Sequence, residues 1–180
     1  MPAGPLLLAD VLRQLEPKHA RRDIQNGFLG PAVLVGHMPV DTAQAWPSVT
    51  PRGLFPDTRA LMDAGLSMDM WCWPLRPFRL MGLLQTHLRV GRASNNDVVL
   101  THSSVSRIHA HVMTRQHLVF LMDCGSTQGT WVNDTRLAPE EPVPLSDRDR
   151  LAVGEVELRF LRAMTLLDLL TRDRPQWTAR

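Results

Sequence analysis

The stretch that decides the fold runs from residue 107 to residue 133 and reads RIHAHVMTRQHLVFLMDCGSTQGTWVN. It contains three short runs of β-forming residues, and the turn formers glycine, serine and threonine stand before the third run. The three runs are 107–114, 117–122 and 130–133. This stretch therefore predicts consecutive short strands joined by polar turns.

Similar runs continue on both sides of this stretch. They recur at intervals of about 8–12 residues and are separated by turn residues, which favours an all-β sandwich over a parallel sheet with helical crossovers. The other predicted strands are 87–91, 97–100, 143–145, 150–153 and 156–161. The predicted fold is mainly β, a two-sheet antiparallel β-sandwich over residues 70–162.

The flanking segments predict helices. Apolar residues at helical spacing predict a helix over 5–16, and a second short helix is expected at 57–64 with Asp57 at its start. Thr165 and Asp168 have the spacing of a capping box and predict a C-terminal helix. The chain thus divides into a mixed helical N-terminal extension of unknown role (1–69), the sandwich (70–162), and a short helix and tail (163–180). Whether the extension folds alone or covers the sandwich stays open.

Composition excludes several classes of function. The 180 residues carry 20 basic and 18 acidic side chains, a formal net charge of +2, which is too small for a general nucleic-acid or membrane-surface binder. No apolar run approaches the roughly 20 residues of a membrane span, and the leucines at 6–8 do not make a signal peptide. The two cysteines cannot build a disulfide framework. We therefore expect a cytoplasmic protein with neither nucleic acid nor membrane as a partner.

Four polar or glycine-rich pieces lie at strand ends or in turns, where loops on a rigid scaffold place binding groups. They are Gly91-Arg92, the Ser-Arg-Ile-His of 106–109, residues 123–130 and Val132-Asn133. Together they supply guanidinium groups, hydroxyls, a side-chain amide and the backbone N–H groups of glycine-rich turns. These donors suit one small, dense anion such as a phosphate.

In order, spacing and strand context, these motifs resemble the forkhead-associated (FHA) domains, which are modules that bind phosphothreonine. The resemblance covers about residues 75–162 and includes the late Gly154. It implies a non-enzymatic module without metal or cofactor that recognises a threonine-phosphorylated protein or a Ser/Thr kinase in Ser/Thr kinase signalling. Lys18 is the only lysine among the 20 basic residues, and this composition, with the stand-alone form, is similar to small bacterial members of the family.

The resemblance also implies roles for individual residues. Arg92 would be the main phosphate-binding guanidinium, and Ser106 would donate its hydroxyl to the same phosphate. Arg107 and Thr127 would contact the phosphothreonine as well.

Two further residues, Ser126 and Gln128, would bind the peptide backbone. Gln128 stands where the family commonly has asparagine, so the amide is kept on a side chain that is one methylene longer. The positions with an architectural role would be Gly91, His109, Gly125, Gly129 and Asn133.

Three alternative interpretations remain. The sandwich or its extension could bind partners without any phosphate. Ser106, His109 and Asp123 have the residue types of a hydrolase triad, but no nucleophile elbow surrounds the serine. His109 and His111 lie two apart with His102 nearby, but no cysteine or carboxylate cluster completes a metal shell. We therefore expect neither an enzyme nor a metal site.

Overall fold

The computed structural model describes residues 5–16, 18–37, 59–76, 78–80, 83–85, 87–115 and 118–172. Within these ranges the strands are β1 (Leu6–Leu7), β2 (Ala32–Gly36), β3 (Trp71–Pro74), β4 (Phe78–Leu80), β5 (Leu83–Gln85), β6 (His87–Gly91), β7 (Val98–Val99), β8 (Ala110–Arg115), β9 (Leu118–Asp123), β10 (Thr130–Val132), β11 (Thr135–Arg136), β12 (Val143–Leu145), β13 (Arg150–Val153) and β14 (Val156–Arg162). The helices are α1 (Leu8–Gln14), α2 (Ala20–Gln25), α3 (Arg59–Asp63) and α4 (Ala163–Thr171).

Two sheets form the sandwich. The larger sheet has the strand order β1-β3-β2-β14-β13-β10-β11, the smaller one has the order β12-β9-β8-β6-β7, and β4 pairs with β5 in a separate hairpin. The strand pairs are antiparallel except for β6 and β7, which run parallel with Val90 opposite Val98. The prediction of a mainly β, two-sheet sandwich is confirmed.

The core lies between the two sheets. Because side chains alternate across a strand, every second residue points inward. Leu34, Trp73 and Phe160 of the larger sheet pack in one buried cluster with Val90 and Val112 of the smaller sheet. This core holds the strand ends that carry the polar motifs in fixed relative positions.

A second core covers the opposite face of the larger sheet. Val33, Val35 and Leu161 point away from the sandwich and pack with helix residues such as Leu8 and Leu166 in a separate buried cluster. Strand β2 is accordingly buried at all five positions. A strand with both faces covered is expected to be apolar throughout, and Ala-Val-Leu-Val-Gly fits that description.

The first 69 residues contribute strands to the sandwich sheet. Strand β2 lies between β3 and β14, and Val35 pairs with both Cys72 and Arg159. Residues 6–7, which were predicted as part of a helix over 5–16, pair with β3 as strand β1, so helix α1 begins only at Leu8. The larger sheet therefore contains strands from both sides of the boundary that the sequence analysis places between residues 69 and 70.

Helix α4 begins two residues before the capping box predicted at Thr165. Strand β14 runs directly into the helix, and the acceptor at its start comes from the turn before β13. Asp147 accepts hydrogen bonds from the backbone N–H of Arg162 (2.7 Å) and from the hydroxyl of Thr165 (2.6 Å). A carboxylate supplied by a distant turn thus replaces the local cap. Asp57, predicted to cap the helix at 57–64, lies outside the described residues.

None of the helices in the described part of the chain combines the length and the apolar composition that crossing a bilayer requires.

Candidate functional site

The polar motifs meet at one end of the sandwich because the strand directions bring them there. Strands β6 and β9 of the smaller sheet end at this edge, and β8, which pairs antiparallel with both, begins there. Strand β10 of the larger sheet also begins at this edge, directly after the loop that follows β9. The three connecting loops are 92–97, 100–109 and 124–129. Loops at one end of a rigid sandwich are a common location for binding residues.

Arg92 lies against the loop that carries Ser106. Its backbone N–H donates to the carbonyl of Ser106 at 2.9 Å, and its Nε donates to the carbonyl of Val105 at 3.1 Å. The side chain is exposed, and neither Nη nitrogen has a hydrogen-bond partner among the described residues. The guanidinium is therefore oriented through Nε while its remaining donors stay available.

Ser106 and Thr127 meet across two loops that are 21 residues apart in sequence. The backbone N–H of Thr127 donates to Ser106 Oγ at 3.1 Å, and the two hydroxyl oxygens lie 3.5 Å apart. Ser106 is half-buried and Thr127 is exposed. Three of the four predicted phosphate-contacting residues thus adjoin one another.

The buried side chain of His109 connects the loop that carries Ser106 to the loop that carries Thr127. It is fully buried, its Nδ1 accepts a hydrogen bond from the backbone N–H of Ser106 (2.9 Å), and its Nε2 donates to the carbonyl of Gly129 (3.0 Å). Burial lowers the pKa of His109, and the Gly129 carbonyl and the Asp123 carboxylate offset this only in part. The ring is therefore the neutral tautomer with its proton on Nε2.

Asp123 organises the loop at 124–129. Its carboxylate accepts hydrogen bonds from the hydroxyls of Ser126 and Thr130, each at 2.6 Å, and from the backbone N–H of Ser126 at 2.9 Å. Burial by itself raises the pKa of Asp123, but these hydrogen bonds outweigh burial and hold the pKa below its usual range. A charged, buried carboxylate thus shapes the loop that carries Thr127.

Gly91 allows two loops to approach closely. A Cβ at this position would lie 2.5 Å from the carbonyl oxygen of Arg107 and 2.8 Å from Nδ2 of Asn96. Asn96 is buried, and Nδ2 donates to the carbonyls of Ala93 and Arg107. The absence of a side chain at Gly91 therefore keeps the Arg92 and Ser106 loops in contact.

Asn133 serves the turn between β10 and β11. Its φ is +49°, its Nδ2 donates to Asp149 at 2.7 Å, and its Oδ1 accepts from the backbone N–H of Arg150 at 2.9 Å. Asparagine is one of the few residue types that tolerate a positive φ. It ties this turn to β13.

The remaining predicted contact residues differ in what the structure gives them. Arg107 and Gln128 are exposed, and neither side chain has a hydrogen bond among the described residues. The hydroxyl of Ser126 is engaged within its own loop, since it donates to Asp123 and accepts from the N–H of Gly129 at 2.9 Å. Peptide contact by these three residues stays a prediction.

The arrangement does not match a hydrolase triad. His109 Nδ1 is bonded to the backbone of Ser106 and not to its hydroxyl, and Nε2 lies 4.0 Å from Asp123 Oδ1. A triad requires the serine hydroxyl on one ring nitrogen and the carboxylate on the other. Among the described residues, no group of three or more His, Cys, Asp or Glu side chains could hold a metal ion.

Sequence reasoning gave no structural role to three residues that shape this end of the sandwich. They are Asp123, Asn96 and Arg136, whose guanidinium lies beside Gly129. The spacing of Asp123 from the hydroxyls three and seven residues later could have indicated a loop-organising carboxylate. Nothing in the run Ser-Asn-Asn-Asp distinguishes Asn96 as the buried amide.

Comparison with known proteins matches residues 88–154 to the family model of the FHA domain. Among curated proteins, the FHA domain-containing protein PS1 of Arabidopsis thaliana is 35% identical over 75 residues, which is 41% of this chain and 5% of the relative. The ABC transporter ATP-binding/permease protein Rv1747 of Mycobacterium tuberculosis is 36% identical over 87 residues, 48% of this chain and 10% of the relative. The FHA domain-containing protein FhaB of M. tuberculosis is 31% identical over 70 residues, 39% of this chain and 45% of the relative. The chain thus spans less than half the length of each of these relatives.

Solved structures give similar matches. The structure of M. tuberculosis EmbR in complex with a low-affinity phosphopeptide is 30% identical over 44% of this chain and 21% of that chain, with a TM-score of 0.41. The FHA domain of the CT664 protein from Chlamydia trachomatis is 27% identical over 42% of this chain and 75% of that chain, with a TM-score of 0.39.

Proposed function

Residues 88–154 of this chain form an FHA domain, and from this premise we propose that the protein binds threonine-phosphorylated proteins. The binding surface is the loop-bearing end of the sandwich. The partner is a phosphorylated protein or a kinase in Ser/Thr kinase signalling.

The observation that carries this proposal is the convergence of donors from three loops. Arg92 contributes Nη donors that have no partner among the described residues, and Ser106 and Thr127 each contribute a hydroxyl. The backbone N–H of Thr127 donates to Ser106 Oγ at 3.1 Å and so holds the two loops together. A phosphate offers oxygens on several sides, and a planar guanidinium can engage two of them at once. The alternative interpretations, a hydrolase triad, a metal site or a phosphate-independent contact, do not require Arg92, Ser106 and Thr127 to lie together.

The energetics favour recognition by a few oriented groups. The segment 80–161 holds 8 basic and 9 acidic residues, so overall charge does not attract a phosphate. A phosphothreonine carries about −1.5 to −2 charges at pH 7. Each charge-assisted hydrogen bond to it contributes about 1.5–3 kcal/mol. Loops held by His109 and Asp123 present these donors with little reorganisation, which reduces the entropic cost of binding.

The decisive experiment compares Arg92→Ala with wild type. A phosphothreonine peptide library identifies a binding sequence, and titration calorimetry then measures its affinity in phosphorylated and unphosphorylated form. We expect Arg92→Ala to weaken phosphopeptide binding by about a hundredfold or more. The fold should persist because the side chain is exposed.

Arg115→Ala is the matched control. Arg115 is an exposed arginine at the opposite end of strand β8, and its removal should leave the affinity unchanged. Equal binding of both peptide forms by wild type would favour the phosphate-independent interaction protein instead. Wild-type affinity in Arg92→Ala would remove the site assignment.

A further inference from the structure

A cavity of about 620 Å³ lies beside the helical layer, at the end of the sandwich opposite the candidate site. Strand β14 connects the two ends. The turn before it contacts the candidate site through the N–H of Gly154, which donates to the carbonyl of Gly129, and its last residue, Arg162, lines the cavity. Because a strand of seven residues spans about 20 Å, the cavity is separate from the proposed phosphate contacts.

The lining of the cavity combines apolar surface with two cations. Ile24 of α2, Pro31 and Met164 of α4 supply apolar surface, and Arg76 and Arg162 supply the charge. No aspartate or glutamate lines the cavity in the part of the chain that the structure describes. Small-molecule sites are typically cavities of this size, mostly apolar, with a few polar groups that orient the ligand.

Arg76 is held against the cavity by the segment that joins α2 to β2. A Cβ at Gly30 would lie 2.7 Å from the carbonyl oxygen of Leu75 and 3.1 Å from Cα of Arg76, so the missing side chain at Gly30 lets the two segments touch. The guanidinium carbon of Arg76 is 5.8 Å from the centre of the Phe28 ring, within the range of a cation–π contact. These contacts restrict the direction of a half-buried side chain.

The guanidinium of Arg76 has no counter-ion among the residues that the structure describes. Its Nε is buried and has no hydrogen-bond partner there, and it forms no ion pair. The nearby thiol of Cys72 cannot balance the charge, because burial raises the pKa of Cys72 to about 12 and keeps the thiol neutral. A buried donor without an acceptor is rare and costly, and an anion in the cavity would remove that cost.

Arg162 supplies a second guanidinium at the junction of β14 and α4. Its guanidinium carbon is 5.8 Å from the centre of the Phe160 ring, and its backbone N–H donates to Asp147. Two guanidinium groups that line one cavity repel each other and both attract an anion placed between them. Because both stack on aromatic rings, they lose less side-chain entropy on binding than freely rotating arginines would.

We propose that this cavity binds a small soluble amphiphilic anion, with a carboxylate or phosphate head group on a short apolar chain. Arg76 and Arg162 contact the head group, and the chain packs on Ile24 and Met164. This site lies between the sandwich and its helical layer, and it does not depend on the proposed function.

The test titrates the full chain with four probes: acetate, octanoate, octyl phosphate and octyltrimethylammonium. We expect octanoate or octyl phosphate to shift the NMR amide signals of cavity residues such as Gly27, Gly30 and Met164. Acetate should bind about tenfold or more weakly than octanoate because it lacks the apolar chain. The octyl cation should leave these signals unchanged. Vesicles of phosphatidylglycerol present the phosphate head group from a membrane and distinguish that source from a soluble ligand.

The variants Arg76→Gln and Arg162→Gln should each weaken binding of the octyl anion by about tenfold or more. Arg22→Gln is the matched control, since it removes an exposed arginine of α2 that does not line the cavity. Arg92→Ala excludes binding at the candidate phosphate site. Both controls should keep wild-type affinity.

Four results would overturn the proposal: unchanged cavity signals with both octyl anions, equal binding of the octyl cation, wild-type affinity in the two glutamine variants, or binding to vesicles without binding of either free octyl anion. Arg76→Lys keeps the charge and should have an affinity between those of wild type and Arg76→Gln. If Arg76→Gln does not fold, Arg76→Lys and Arg162→Gln decide the outcome.

Discussion

His109 joins two loops of the site only while its ring is uncharged. Nδ1 must accept the N–H of Ser106, and protonation removes that lone pair. Because burial lowers the pKa of His109, the folded protein binds this proton less readily than the unfolded chain. The contribution of His109 to stability is therefore complete above about pH 6.5 and declines as the pH falls below that value.

We expect His109→Gln to change how stability depends on pH. The variant should be less stable than wild type at pH 7, because it loses one or both bonds of the ring. The difference in unfolding free energy should shrink at pH 5, where folded wild type carries the cost of keeping the ring neutral. Urea unfolding at both pH values measures this. An equal difference at pH 7 and pH 5 would show that protonation of His109 is not involved.

Single residues could be predicted from sequence where a side chain has its own chemistry. The strand pattern placed Arg92, Ser106 and Thr127 at strand ends or in turns, and the resemblance to the FHA domains implied that they share one phosphate. Asn96 could not be predicted, because its burial depends on the carbonyl of Arg107, which lies 11 residues away in another loop. The packing of the Arg136 side chain could not be predicted either, because it depends on the ring of Trp131 and on the missing side chain of Gly129.

At the end of strand β6, the close approach of the Arg107 carbonyl to Gly91 restricts the residue type more strictly than the backbone conformation of a turn does. Gly91 has no positive φ, so its requirement is purely one of space, whereas Gly125 has a φ of +70° and open space around its Cβ position. Substitution of Gly91 is therefore expected to have a steric cost, whereas substitution of Gly125 is expected to have a conformational cost.

We expect Gly91→Ala to damage the site more than Gly125→Ala. The added methyl would overlap the carbonyl of Arg107, a backbone atom that can move only with its loop, at a cost of about 1–3 kcal/mol. Gly125→Ala should cost about 1–2 kcal/mol through its backbone conformation alone. Thermal unfolding and phosphopeptide titration measure both effects. A Gly91→Ala protein with wild-type affinity would show that the contact between these loops does not position Arg92.

Strand positions were predicted well because alternation and turn residues are local signals. The structure keeps 87–91, 143–145 and 150–153 as predicted and moves the ends of the other five predicted strands by up to three residues, whereas β1–β5 and β11 are not among the eight predicted strands. Strand partners are not local signals. The apolar residues at 32–35 lie between β3 and β14, and this position depends on residues some 40 and 125 positions later in the chain.

For the whole molecule, the larger sheet is shared by two cores. One face packs on the smaller sheet through residues such as Phe160, and the other face packs on helices α1, α2 and α4 through residues such as Val33. Strand β2 contributes to both cores and pairs with a strand on each side. Such a central element is expected to unfold together with the rest of the sheet, in one cooperative transition.

We therefore expect a chain that starts at residue 70 to lose its fold. It would lack strand β2, so β14 would lose its pairing over Arg159–Arg162 and helix α4 would lose its packing partners α2 and α3. A sheet opened at its centre exposes unpaired backbone and apolar surface, which favours aggregation. Circular dichroism and the dispersion of NMR amide signals would report the loss, and a chain ending at residue 172 serves as the control that keeps every described element. A folded 70–172 fragment that binds phosphopeptide would show instead that the sandwich is complete without its first 69 residues, and that the helical layer is an addition to it.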